Sequence, residues 1–163
     1  MNRFVGYKAP TLHDPTLEDK LISQILGSDN IFYNVEILDT SGKEEYFKFA
    51  NWIYYADGMF LIFSLIDKNS FDEIKKIYNK LKKFKNFNNF PIILIGNKHD
   101  LSEKRQVEFS DAKKLADSWG TEYFETSSIT NYNCKEAVQG LINRIKNKWE
   151  SERENNKKKC VII

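Results

Sequence analysis

The chain has 163 residues, enough for one domain with its own core, and 41% apolar with 29% charged residues is ordinary globular usage. Its 25 basic and 23 acidic residues leave a net charge of +2 spread along the sequence, which gives no basis for a nucleic-acid binder. Two cysteines, Cys134 and Cys160, exclude a disulfide framework and fit a reducing compartment. The start reads without a signal peptide, and the longest apolar run, MFLIFSLI at 59–66, is far short of the ~20 residues of a membrane span.

In chain order, LISQILG (21–27) and FYNVEIL (32–38) flank the turn residues SDN and predict a hairpin. GMFLIFSLI (58–66) and PIILIG (91–96) are continuous apolar runs, the mark of strands buried on both faces of a parallel sheet. Between them Phe71, Ile74, Ile77, Leu81 and Phe84 recur at helical spacing after Ser70, which the pattern makes the N-cap of a crossover helix. Ser110 is expected to cap a second helix, with Ala112, Leu115, Ala116 and Trp119 inward and Gly120 as its stop. TEYFET (121–126) predicts a short strand, and Ala137, Val138, Leu141, Ile142, Ile145 and Trp149 mark a last helix. Strands alternating with helices predict an α/β fold with a doubly wound, mostly parallel sheet over residues 1–150. From about Ser151 the apolar period stops, and 151–163 reads as a solvated tail.

Ligands of such sheets sit at the C-terminal ends of strands, where three polar loops fall: DTSG (39–42), NKHD (97–100) and ETSSI (125–129). Each alone is a weak signal; their order, strand context and spacing are specific. Together with DPTLED, DTSGKEEY, GNKHDL, ETSS and the terminal CVII, they make the chain resemble the Ras-type small GTPases from about Asp14 to the C-terminus. An aspartate at position 100 can accept two parallel hydrogen bonds from the N1–H and amino group of guanine. Adenine cannot offer that pair and would leave a desolvated carboxylate without its partners.

The resemblance implies a P-loop NTPase-like G domain that takes GTP or GDP with Mg²⁺ and acts as a membrane-anchored signalling switch. By it, Asn97 braces the base loop, Lys98 lays its alkyl stem along the base, and backbone N–H groups near Ser127 and Ser128 approach the guanine carbonyl. Asp39 would hold Mg²⁺ through water, the Gly42 N–H would meet the terminal phosphate, and Thr16 matches the threonine that ligates Mg²⁺ in the triphosphate state. Asp14, Pro15, Thr16, Leu17, Glu18 and Asp19 match the effector segment, so effectors, exchange factors and GTPase-activating proteins are the implied partners.

Departures from the family pattern follow. The first strand and the phosphate loop G-x-x-x-x-G-K-[ST] should begin about thirty residues before the DPT stretch, and the seven glycines contain no such spacing. A nest of N–H donors, a phosphate-binding lysine and a Mg²⁺ hydroxyl ligand are therefore missing from the pattern, along with a central strand. A start site placed too late in the gene model explains this as well as evolution does. Lys43 stands at the position of the water-orienting glutamine and offers donors but no acceptor. Ile129 stands where the family loop carries lysine. These departures predict impaired nucleotide binding and hydrolysis, and keep two alternatives open: a non-enzymatic pseudo-GTPase that serves as an effector-binding scaffold, or an incomplete gene product.

KKKCVII at the end has the C-a-a-X form, with Cys160 as prenyl acceptor and a final Ile163 that leans toward geranylgeranyl. One prenyl chain binds membranes only marginally, so Lys157, Lys158 and Lys159 would supply the second signal against an anionic leaflet. The expected location is the cytoplasmic face of a cell membrane, the plasma membrane first.

Overall fold

The structure, a computed structural model, describes residues 18–40, 56–84, 87 and 89–156. The first two strands, β1 (Glu18–Leu26) and β2 (Phe32–Thr40), pair antiparallel in a register that sets Leu26 opposite Phe32 and Glu18 opposite Thr40. The Gly27 N–H donates to the Ile31 carbonyl (2.8 Å), Asn30 takes a left-handed φ of 61°, and the Asp29 carboxylate accepts from the Ile31 N–H (3.1 Å). Asparagine tolerates that φ and aspartate caps its own turn, so SDN closes the hairpin as the sequence predicts.

A second sheet is all parallel, in the order β3 (Met59–Ser64), β4 (Ile92–Asn97), β5 (Glu122–Thr126). The pleat sends alternate side chains of its central strand to opposite faces. Ile92 and Leu94 join Leu61, Phe63, Phe71 and Ile74 under α1 (Lys68–Leu81), with Ala112 and Ala116 of α2 (Phe109–Ser118) in the same core. Ile93 and Ile95, both fully buried, face Ala137 and Leu141 of α3 (Cys134–Asn156) on the other side. Helices on both faces of a parallel sheet make the doubly wound α/β class. Among the described residues no hydrogen bonds join β2 to β3, so the strands form two sheets rather than one.

The helix boundaries differ from expectation. The N-cap of α1 is Asp67 and not Ser70: its Oδ1 accepts from the N–H groups of Asn69 (3.0 Å) and Ser70 (3.3 Å). The Ser70 hydroxyl instead donates to the Asp67 carbonyl (2.7 Å) and accepts from the Ser64 N–H (2.9 Å), tying the helix start to the end of β3. Glu108, not Ser110, occupies the N-cap position of α2, with no side-chain cap bond; Ser110 lies within the first turn. Gly120 does stop α2, at a φ of 66° that glycine adopts without strain. Trp149 is 39% exposed, not inward like Ala137 and Val138. The helix carrying it continues past Ser151 to Asn156, with a Lys148–Glu152 pair one turn apart along it (4.0 Å).

The hairpin meets the rest of the molecule at its turn. Lys146 of α3 donates to Asp29 (2.7 Å), Ser28 to Asn143 (2.8 Å), and Gln139 to the Leu26 carbonyl (3.0 Å).

Candidate functional site

Two loops at the C-terminal ends of β4 and β5 come together because the strands are parallel neighbours, with Asn97 opposite Thr126. β4 ends as Lys98 turns to a left-handed φ of 71°, after which His99–Lys104 form a 3-10 segment whose first closure is the Leu101 N–H to the Lys98 carbonyl (3.0 Å). The second loop is shaped by left-handed Asn131 (63°) and Asn133 (51°), and the Asn133 amide donates to the Glu125 carbonyl (3.0 Å).

Side chains then cross between them. Asn97 Oδ1 lies 3.4 Å from both the Thr126 hydroxyl and the Ser128 N–H. The Ser127 hydroxyl donates to Asp100 Oδ1 (2.6 Å) and accepts from the Thr130 N–H (3.1 Å). Ser127 is itself fully buried, with its N–H on the Tyr132 carbonyl (3.1 Å) and its carbonyl met by the Cys134 thiol (3.4 Å). A carboxylate has about four acceptor positions, of which Ser127 uses one, so Asp100 is oriented without being saturated.

Behind the loops sits a buried ion pair that the sequence reading did not find. Arg105 forks onto Glu125 with both terminal nitrogens (2.8 and 2.7 Å) and also donates to the Val107 carbonyl (2.9 Å). The Tyr123 hydroxyl donates to Glu125 Oε1 (3.0 Å), and His99 Nε2 lies 3.7 Å from Oε2. Burial works to raise the Glu125 carboxyl, but the Arg105 fork and the Tyr123 bond outweigh it, and the net shift is downward. The same bond raises Arg105, while burial and then the Glu125 charge push the Tyr123 hydroxyl up. Arg105 lies outside any loop motif, and its signal is only a long-range charge match to the glutamate of ETSS.

Gly96 is needed here for close approach. A Cβ at this position would lie 2.6 Å from the Tyr123 hydroxyl and 2.7 Å from Leu65 Cδ2. The Leu65 N–H in turn donates to the Asn97 carbonyl (2.9 Å), which holds the exit of β3 beside that of β4.

Of the residues singled out from the sequence, the structure brings together Asn97, Lys98, Asp100, Ser127 and Ser128. Asp14, Pro15, Thr16, Leu17, Gly42, Lys43, Cys160 and the lysines at 157–159 lie outside the described residues. Glu18, Asp19 and Asp39 are placed by strand register alone, with Asp19 opposite Asp39. Among the described residues, no group of three His, Cys, Asp or Glu could hold a metal ion, and no helix is long and apolar enough to cross a membrane. The Asp100 carboxylate, with acceptor positions beyond the one Ser127 uses, could take a planar base carrying adjacent N–H groups. The residues expected at phosphate and Mg²⁺ are not among those whose side chains are placed.

Comparison with known proteins gives a consistent answer. The Ras family model matches residues 1–147. Ras-like protein rasX of Dictyostelium discoideum is 33% identical over 150 residues, covering 91% of this chain and 68% of the relative. Ras-like protein RAS2 of Hydra vulgaris is 32% identical over 157 residues, 93% of this chain and 81% of the relative. The human Ras-related protein R-Ras is 34% identical over 141 residues, 86% of this chain and 64% of its own length, so there the match spans less than two thirds of the relative.

Proposed function

Because the chain belongs to the Ras family of small GTPases, we propose that it is a guanine-nucleotide-dependent signalling switch whose base is recognised by residues 97–100 and 125–129. The observation that carries this reading is the Ser127–Asp100 bond, which aims the carboxylate from the end of one parallel strand against the loop of the next. In that pose Asp100 accepts the paired N–H donors of guanine, Asn97 braces the two loops, Lys98 lies along the base and the Ser128 N–H approaches the carbonyl.

Mg²⁺, held by Thr16 and through water by Asp39, with the Gly42 N–H on the terminal phosphate, would supply charge neutralisation at the triphosphate. Lys43 at the water-orienting position makes slow hydrolysis the expected behaviour, since an ammonium gives that water no acceptor; Lys43→Gln turning over GTP no faster would remove this point. Effectors are expected to bind over residues 14–19 by adding a strand beside β1, which pairs only with β2 among the described residues. Cys160 prenylation backed by Lys157, Lys158 and Lys159 would place the protein on the cytoplasmic face of the plasma membrane. Cys160→Ser should then release a tagged protein to the cytosol, and unchanged retention would rule out that anchor.

A polypeptide of these 163 residues contains no G-x-x-x-x-G-K-[ST] stretch, so its nucleotide affinity is expected to rest mainly on the base loops. The test is titration of that polypeptide with GDP and ADP. GDP should bind better, and Asp100→Asn should remove the preference; equal binding of both nucleotides would defeat the proposal.

A further inference from the structure

His99 and Tyr132 make a contact that none of the loop motifs accounts for. Their rings stack with centroids 4.4 Å apart and planes 22° from parallel. His99 immediately precedes Asp100 in the first loop; Tyr132 closes the second, where its carbonyl accepts the Ser127 N–H (3.1 Å). Following the bonds around gives a closed circuit. Asp100 is held by the Ser127 hydroxyl, Ser127 by the Tyr132 backbone, Tyr132 by its ring on His99, and His99 by the chain back to Asp100.

We infer that the His99–Tyr132 stack is a latch that fixes the spacing of the two base loops, which makes Tyr132 and His99 positioning residues for guanine recognition. The inference rests on the guanine-binding reading above. Geometry separates the latch from general support of the fold. Tyr132 is 46% exposed and the His99 side chain 37%, and among the described residues neither belongs to a hydrophobic core, so the stack adds little to burial. What it restrains is distance at the loop tips: the Arg105 fork and His99 Nε2 (3.7 Å) meet Glu125 at the base of the second loop, whereas nearer the tips the two ties through Asn97 are long at 3.4 Å and the short Ser127–Asp100 bond is a single hydroxyl. A hydroxyl can follow a carboxylate as the loops part, whereas a ring stack resists separation across its whole face. Lys98, left-handed and neither glycine nor asparagine, holds the exit of β4 beside the same contact in a conformation that costs free energy.

A latch made by the ring face requires the Tyr132 ring and not its hydroxyl. Stacking of this kind is worth enough to change a binding constant by roughly 3- to 10-fold. Tyr132→Phe preserves the ring and should behave as the wild type; Tyr132→Ala should lose that factor in GDP affinity with ADP binding unchanged. His99→Ala should give a similar loss, and the double variant no more than either single, because each alone already opens the circuit.

The experiment is calorimetric titration of the 163-residue polypeptide and these four variants with GDP and with ADP. Amide hydrogen exchange of residues 98–101 and 127–130 is measured without nucleotide. Support is a loss of GDP-over-ADP preference in Tyr132→Ala with faster exchange in both loops and recovery in Tyr132→Phe. Wild-type preference and exchange in Tyr132→Ala would overturn the latch and leave guanine recognition standing, as would a Phe variant as impaired as the Ala variant. A wild-type polypeptide that does not distinguish GDP from ADP would overturn the guanine reading and the latch with it.

Discussion

The hairpin and the parallel sheet are built on opposite principles. In β4 the consecutive residues Ile93, Leu94 and Ile95 are all fully buried, because each face of that strand is covered by helix. In the hairpin Ile22 is 69% and Phe32 67% exposed, and the attachments to α3 are polar bonds clustered at the turn. One region is held by area removed from water, each buried side chain contributing about 1.5–3 kcal/mol. The other keeps its shape by ladder register and its position by one ion pair and two neutral hydrogen bonds. The candidate base loops belong to the buried region, whereas the segment matching the effector site begins the hairpin. The candidate base loops are thus anchored by buried area, and the proposed partner surface rides on the more weakly attached element.

Truncation in each region breaks or sharpens that contrast most directly. Ile95→Ala should cost about 2–5 kcal/mol in urea unfolding, since the cavity opens between β4 and α3 where nothing can relax into it. Ile22→Ala should stay within about 0.5 kcal/mol of the wild type. Comparable losses at the two positions would abolish the distinction. Next in size, Glu125→Gln should cost about 3 kcal/mol by leaving the Arg105 fork half satisfied in a site where the carboxylate is nearly buried. Its pH dependence follows from the lowered Glu125 carboxyl. The stabilisation is complete above the ordinary value of 4.5 and is lost as pH falls through the lower folded value, so the variant's deficit should shrink on acidification. A deficit constant from pH 7 to 3 would contradict that. Gly96→Ala should cost roughly 1–3 kcal/mol, because its Cβ meets Tyr123 and Leu65 in a core that cannot give on both sides; pairing it with Tyr123→Phe should return part of the loss.

The buried region was the more legible in sequence. Continuous apolar runs identified β3 and β4, a helical period identified α1, and motif order brought the two base loops to neighbouring strand ends. The caps misled because the serine rule is local: Asp67 outcompetes Ser70 by offering one carboxylate oxygen to two N–H groups, a choice visible only once the strand exit is placed. Arg105 with Glu125, and His99 with Tyr132, could not be read because their partners lie 20 and 33 residues apart and neither pair follows a period. Trp149 fits the helical spacing of its neighbours, yet it lies a turn beyond where the sheet supplies a surface to cover it. The division of the strands into two sheets likewise has no local signature in either strand.

The smallest effect, and the one that probes the hairpin side alone, concerns Asp29. Its carboxyl is drawn down from 3.8 to about 2, first by the bond from Lys146 and then by the Tyr33 hydroxyl at 2.8 Å, against a small opposing cost of burial. A carboxylate with a depressed folded value contributes fully above its unfolded value, so this tie is intact at neutral pH, declines below about 3.8 and is gone once pH passes about 2. Because Asp29 and Lys146 are solvent-screened, the effect on global unfolding should be slight. It should appear instead as local attachment. Carboxyl titration by NMR should place the Asp29 midpoint near 2, and Lys146→Gln should move it back toward 3.8 while hydrogen exchange rises at the turn, residues 27–31, and not in β4. Exchange rising equally in β4 would mean that the turn contact supports the parallel sheet as well. An Asp29 midpoint unmoved by Lys146→Gln would transfer the tie to Tyr33 and leave the hairpin attached to α3 through Ser28 and Gln139.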